Sequence, residues 1–247
     1  DQAGQCEIYG HRRGWKGRQL TDYTNADNEK TSYTYNADGM RTSRSDGSNT
    51  YEYIYDGTRL SRMVKRENGE VSVFDFIYDA EGVMGVLVNA FNRYTYVRNL
   101  QGDIIGILDA QGTAVVQYTY DAWGNILSIT GTLADTIGVL NPFRYRGYHY
   151  DAETGFYYVS SRYYDPEIGR WINADNQFST GSDLTGMNLF AYCGNNPVNR
   201  IDPDGHAWKD VKNWFSNTWN NVKKTVRIQR DRNDYLYSIS WGKWHQQ

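Results

Sequence analysis

The sequence predicts a mainly β protein. Antiparallel hairpins repeat along a curved sheet or partial β-shell, and an amphipathic helix follows near the C-terminus. Three observations carry this. An aromatic–x–Tyr pair recurs through the first half of the chain, and turn-forming residues follow each pair. The composition sets 22 Tyr and 24 Gly against only 4 Pro in 247 residues. Tyr, Thr and Val suit a pleated, half-buried surface, and Gly suits tight reversals.

The pairs are Tyr33/Tyr35, Tyr53/Tyr55, Phe76/Tyr78, Tyr94/Tyr96 and Tyr118/Tyr120. Residues two apart share one face of a strand. The turns that follow are Asn36-Ala37-Asp38-Gly39, Asp56-Gly57, Asp79-Ala80-Glu81-Gly82, Gln101-Gly102-Asp103 and Asp121-Ala122-Trp123-Gly124-Asn125. Asp-x-Gly and Asn-Gly chemistry permits tight reversal. The next strand opens on Met40-Arg41, Arg59-Leu60, Val83-Met84, Ile104-Ile105 or Ile126-Leu127. One hairpin cannot bury an aromatic face alone, but stacked hairpins can. The aromatic row is therefore expected to pack an interior; a carbohydrate-stacking platform is the alternative.

Further along, Asp151-Ala152-Glu153-Thr154-Gly155 separates two aromatic strands, Tyr145–Tyr150 and Phe156–Tyr164. Asp165-Pro166-Glu167-Ile168-Gly169 is a second reversal with Pro at a turn corner. Asn195-Asn196-Pro197 and Asp202-Pro203-Asp204-Gly205 are further turns. Residues 207–226 carry Trp208, Val211, Phe215, Trp219, Val222 and Val226 at helical spacing, within an arc of about 80°. Lys209, Lys223, Lys224 and Arg227 take the other side. Strand-like alternation resumes at Tyr235, Tyr237 and Ile239.

Charge divides the chain near Gly205. Residues 1–205 hold 18 Lys+Arg and 26 Asp+Glu, and residues 206–247 hold 8 and 3. A basic tail on an acidic body either docks on that body or meets an anionic partner. No nucleic acid is expected for the β body. No run of about 18 apolar residues occurs, so no membrane-spanning helix is expected. The chain opens on Asp1 rather than Met, with no signal-like segment, and reads as part of something longer. Cys6 and Cys193 form one bridge or remain two idle thiols; the count makes no disulfide framework.

Several chemistries lack their residues. His11, His149, His206 and His245 show no metal-ligand spacing, and Cys-x-x-Cys is absent. There is no phosphate-binding Gly loop and no Gly-x-Ser-x-Gly elbow. Acidic turns such as Asp46-Gly47 lack calcium-loop spacing. No cofactor is expected.

The unit Tyr-x-Tyr-Asp with Gly two or three residues on resembles the YD repeat of Rhs-family proteins. The stretch PFRYRGYHYDAETGFYYVSSRYYDPEIGRWINAD, 142–175, is similar to the core segment that closes the repeat shell in Rhs, Tc-toxin C and wall-associated bacterial toxins. STGSDLTGMNLFAYCGNNPVNRIDPDG, 179–205, resembles the ending of that core in its Gram-positive form. The resemblance covers roughly 30–205. It implies YD-type hairpin repeats over 1–140, a repeat-associated core over 141–205 and a variable basic tail over 206–247. In the family the repeats wind into a hollow shell around a toxic C-terminal polypeptide, and the core plugs one end. The implied role is a shell segment that encapsulates, presents or delivers an effector in bacterial competition. The implied location is secreted or at the cell surface. Implied partners are the rest of the shell, the effector and an immunity or secretion-system protein; the aromatic row by itself leaves open a cell-surface module that holds carbohydrate or a partner protein.

In several family members the core is an aspartyl autoprotease marked by two Asp-Pro-x-Gly-Leu motifs. Two carboxylates share a proton; one activates water and the other donates to the scissile carbonyl. By position the candidates are Asp175 and Asp202, with Arg170 as supporting cation and His206–Ala207 as the scissile bond. The sequence departs from the pattern: Asp175 lacks the Pro, Gly and Leu, the two aspartates are 27 apart, and His206 replaces Leu. The alternative is that Asp202-Pro203-Asp204-Gly205 is a turn before the next helix.

Overall fold

The computed structural model describes residues 4–8, 11–80, 82–160, 162–174, 188–203, 205 and 209–210. One antiparallel sheet of 13 strands, paired in sequence order, accounts for the first 130 residues. Its strands are β1 (Gly4–Ile8), β2 (His11–Lys16), β3 (Gln19–Thr24), β4 (Lys30–Tyr35), β5 (Arg41–Ser45) and β6 (Asn49–Asp56). They continue through β7 (Arg59–Glu67), β8 (Glu70–Asp79), β9 (Gly82–Val88) and β10 (Asn92–Arg98). The last three are β11 (Ile104–Leu108), β12 (Ala114–Tyr120) and β13 (Ile126–Thr130).

The turns explain the repeat. Asn25, Asn36, Asn99, Asp109 and Asp121 close the same five-residue loop. In each, the side-chain oxygen accepts the backbone N–H four residues on. The N–H three residues on donates to the residue's own carbonyl. The residue in that fourth place has φ between 63° and 98°, and is Asn28, Gly39, Gly102, Gly112 or Gly124. Asn and Asp supply the local hydrogen bonds, and Gly or Asn supplies the left-handed conformation. Asp56 instead closes a two-residue reversal, pairing with Arg59 across Gly57.

The strand faces follow. Tyr33, Tyr53, Phe76, Tyr96 and Tyr118 are all buried on one face. Their partners two residues on stand just past a register shift. There Tyr35 pairs with Arg41, Tyr55 with Leu60, Tyr78 with Val83, Arg98 with Ile104, and Tyr120 with Ile126. The fourth pair is therefore Tyr96/Arg98, not Tyr94/Tyr96, because the bulge sets the register. The hydroxyls of Tyr35, Tyr55, Tyr78 and Tyr120 donate to the carbonyls of Leu20, Arg41, Leu60 and Ile104 at 2.7–2.9 Å. Each such bond ties a strand to the hairpin before it. The opposite face mixes polar and apolar residues, with Thr34–Ser43 and Thr119–Ser128 hydroxyl contacts at 2.6 and 2.7 Å and with Ile54 and Val97 exposed. The repeated aromatics thus pack an interior and form no exposed sugar-stacking row.

A second sheet has four strands: β14 (His149–Asp151), β15 (Phe156–Val159), β16 (Arg162–Asp165) and β17 (Arg170–Trp171). The aromatic run expected as one strand over 156–164 is two, because Ser160 takes φ 54° and reverses the chain. The run over 145–150 opens as a tight turn, Tyr145–Gly147, with Arg146 at φ 57°. Arg200–Ile201 (β18) pairs with Lys209–Asp210 (β19). Of the helix expected over 207–226, these two residues are strand, and the rest lies outside the described residues. Among the described residues no helix is long and apolar enough to cross a membrane.

The large sheet wraps around the small one. Tyr157 and Tyr158 are neighbours in β15 and point to opposite sides. The Tyr157 hydroxyl donates to the Gly124 carbonyl in the β12–β13 turn at 2.7 Å. The Tyr158 hydroxyl accepts from the Arg41 N–H of β5 at 3.1 Å. On a flat sheet β5 and β12 would lie about 34 Å apart, at about 4.8 Å per strand. Two neighbouring side chains cannot bridge that gap, so the sheet curls around β15.

Candidate functional site

Because the core segment sits inside the curl, its charged residues must be satisfied away from water. Asp151 ends β14 and is fully buried. Its carboxylate takes both terminal nitrogens of Arg41, at 2.5 and 2.8 Å. Arg41 is equally buried and lies against the rings of Tyr33, Tyr53 and Tyr158. Arg44, three residues on in β5, donates to Glu153 at 2.8 Å, and the Tyr33 hydroxyl donates to the same carboxylate at 3.0 Å. Burial works to raise the Asp151 carboxyl, but the Arg41 guanidinium overrides it and holds it below the ordinary carboxylate range. Burial, and then the Asp151 charge, raise Glu153.

Asp202, the candidate catalytic aspartate, follows β18 and is 2% exposed. Its carboxylate accepts from Arg162 at 2.8 Å, and its carbonyl accepts from the Tyr148 hydroxyl. Arg162 lies 3.9 Å above the Trp171 ring. Arg170, the cation expected beside Asp202, is exposed and pairs through its backbone with Asp165 and Ala191. Asp175, His206 and Ala207 lie outside the described residues. The structure therefore brings Asp202 together with Arg162, a residue that sequence reasoning passed over. A signal existed: one arginine inside the aromatic run 156–164 needs a buried anion.

Gly205 packs its backbone on Val159, where an added Cβ would lie 2.8 Å from the Val159 carbonyl oxygen. The chain leaves the core beside a cavity of about 330 Å³ lined by Tyr55, Arg59, Tyr78, Arg98, His149 and Pro203. This cavity lies where Arg98 interrupts the tyrosine ladder. Arg98 donates instead to Asp79 at 2.6 Å. Cys193 is buried and free, and burial pushes its thiol up to about 12. Among the described residues no group of His, Cys, Asp and Glu is placed to hold a metal ion.

The family profile described as Teneurin YD-shell matches residues 16–198. The tRNA nuclease WapA of Bacillus subtilis (strain 168) is 35% identical over 200 residues, 80% of this chain and 8% of that protein. Toxin subunit YenC2 of Yersinia entomophaga is 44% identical over 71 residues, 28% of this chain and 7% of that subunit. A crystal structure of TcdB2–TccC3 matches with a TM-score of 0.65 at 25% identity, over 80% of this chain and 10% of that one. The chain spans 8% of the length of WapA, so it corresponds to one segment of such proteins. With its aromatic repeat face curled around an inward core segment, the chain belongs to the YD-shell family, as a shell segment of the Rhs and Tc-toxin type.

Proposed function

We propose that this segment helps enclose and deliver a C-terminal effector, in a secreted or cell-surface bacterial protein. The repeats over 1–140 form the wall, the core over 141–205 the inner plug, and the tail over 206–247 leads into or belongs to the cargo. The observation that carries this is the curl: a wall whose aromatic face is turned inward around β15. Partners of this reading are the remaining shell and the effector; immunity and secretion-system partners rest on the resemblance alone, and carbohydrate on the aromatic content alone.

A second reading is supported by Asp202, a buried carboxylate five residues before Ala207. In it, Asp175 and Asp202 cut His206–Ala207, with Arg170 or Arg162 setting charge. Intact mass and limited trypsin digestion of wild type and Asp202→Asn, at neutral pH, test both readings. For the enclosing role, the lysines after Gly205 resist trypsin when further YD repeats extend the chain at its N-terminus, and are cut in the short chain. Equal cutting in both would sink it. Loss of the tail mass in wild type alone identifies an autoprotease; an intact wild type rejects that activity.

A further inference from the structure

We propose that His149, with Arg41, Arg44, Asp151 and Glu153, forms an acid-sensitive latch between the curled sheet and the core segment. The imidazole is 8% exposed and stands on β14, at the seam. From β6 the Tyr53 ring meets it edge-on at 5.2 Å, and Phe143 approaches at 6.4 Å. Its Nε2 lies 3.6 Å from an Asp151 oxygen already within a two-pronged contact to Arg41. Arg44 of β5 is 3.7 Å from that same oxygen. Across the adjoining cavity stand Arg59, Arg98 and Arg146, with the phenols of Tyr55, Tyr78, Tyr148 and Tyr158.

At neutral pH the two arginines face two carboxylates, and the imidazole is neutral. The buried cluster has no net charge. A proton on His149 adds a third cation where both anions are already engaged. Burial, and then the Arg41 charge, accordingly push the imidazole down to about 3. The sign follows from linkage. Above its ordinary value, near 6.5, His149 is neutral folded and unfolded alike, and the seam has its full stability. Between about 6.5 and 3 the unfolded chain takes up a proton that the folded chain refuses, so stability falls with pH. Glu153 works the other way. Its raised value lets the folded chain take a proton earlier, which offsets part of the loss. The Arg41 guanidinium holds Asp151 below its ordinary value, and burial raises the phenols of Tyr55, Tyr78, Tyr148 and Tyr158 above theirs.

The seam is thus firm at neutral pH and weakened at about pH 5, the interval in which a histidine acts as a switch. The latch is independent of whether the chain cuts itself or encloses a tail.

The test is thermal unfolding of the full chain from pH 7.5 to 5.0, with hydrogen exchange corrected for intrinsic rates. The wild-type midpoint should fall by about 5 °C over this range. The loss of protection should concentrate in 149–151 and 156–159, more than in β12–β13. His149→Phe, which keeps a ring at the seam, and His149→Gln, which keeps a polar group, should both flatten the slope. Glu153→Gln, which removes the opposing proton, should steepen it. A wild-type midpoint independent of pH would overturn the latch. So would an unchanged slope in both His149 variants, or acid-induced exchange confined to β12–β13.

Discussion

The repeat wall and the core segment are built from the same aromatic residues but held by different forces. In the wall, short local contacts recur: a tyrosine hydroxyl on a carbonyl of the preceding hairpin, and an Asn or Asp closing its own turn. Each contributes about 1 kcal/mol and is backed by the next one along. In the core segment and where it meets the wall, buried ions form single clusters: Arg41 and Arg44 with Asp151 and Glu153, and Arg162 with Asp202. Arg144, also buried, is held by the carbonyls of Asn141, Gly138 and Val139. Removing one partner of such a pair strands the other charge away from water. The wall is therefore tolerant and additive, and the core segment is exacting.

The largest expected effect tests the exacting side. Asp151→Asn leaves Arg41 buried against three rings without its counter-ion, and should cost about 3–5 kcal/mol in urea unfolding. The double change Arg41→Met with Asp151→Leu should recover most of that loss, since both charges leave together. If the single and double changes cost the same, the pair matters for its packing and the contrast between regions fails.

A smaller effect tests the tolerant side. Tyr120→Phe deletes the hydroxyl that donates to Ile104 and keeps the ring. It should cost about 1 kcal/mol. Combined with Tyr35→Phe at the far end of the sheet, the costs should add within about 0.5 kcal/mol. Strong coupling between these two positions would mean that the wall does not behave as a repeat.

The smallest effect sharpens the comparison at the place where the ladder is interrupted. Arg98→Tyr restores the repeat residue, fills part of the cavity and sets a hydroxyl near Val83. It gives up a partly exposed pair with Asp79, whose side chains are 18% and 37% exposed. Such pairs contribute little, so a gain of about 0.5–1 kcal/mol is expected by chemical denaturation. A loss would show that Arg98 holds the wall at that point.

Much of the wall was legible because its signals are local. An Asn or Asp, a residue with left-handed backbone three places on, and aromatics on one face all fall within about ten residues. The burial of Tyr33, Tyr53, Phe76, Tyr96 and Tyr118 follows from that pattern. The fourth pair stands two residues later than the aromatic spacing predicts, because a bulge shifts register without any residue type that announces it. At the candidate site, Asp202 was legible as part of a recognised motif. Arg162 was not assigned to it, because the two are 40 residues apart and meet only through the curl. Arg41 read simply as the start of a strand; its partner lies 110 residues on.

What the sequence determined by itself is the alternation of strand and turn, the inward aromatic face and the family of the chain. Each rests on period-two geometry and on hydrogen bonds that close within five residues. Only the tertiary structure decided the curl around β15, the pairing of Arg41 with Asp151 and of Arg162 with Asp202, and the neutral histidine at the seam. These depend on which surfaces meet once water is excluded. A buried charge chooses its partner by distance in space, which the order of residues along the chain does not specify.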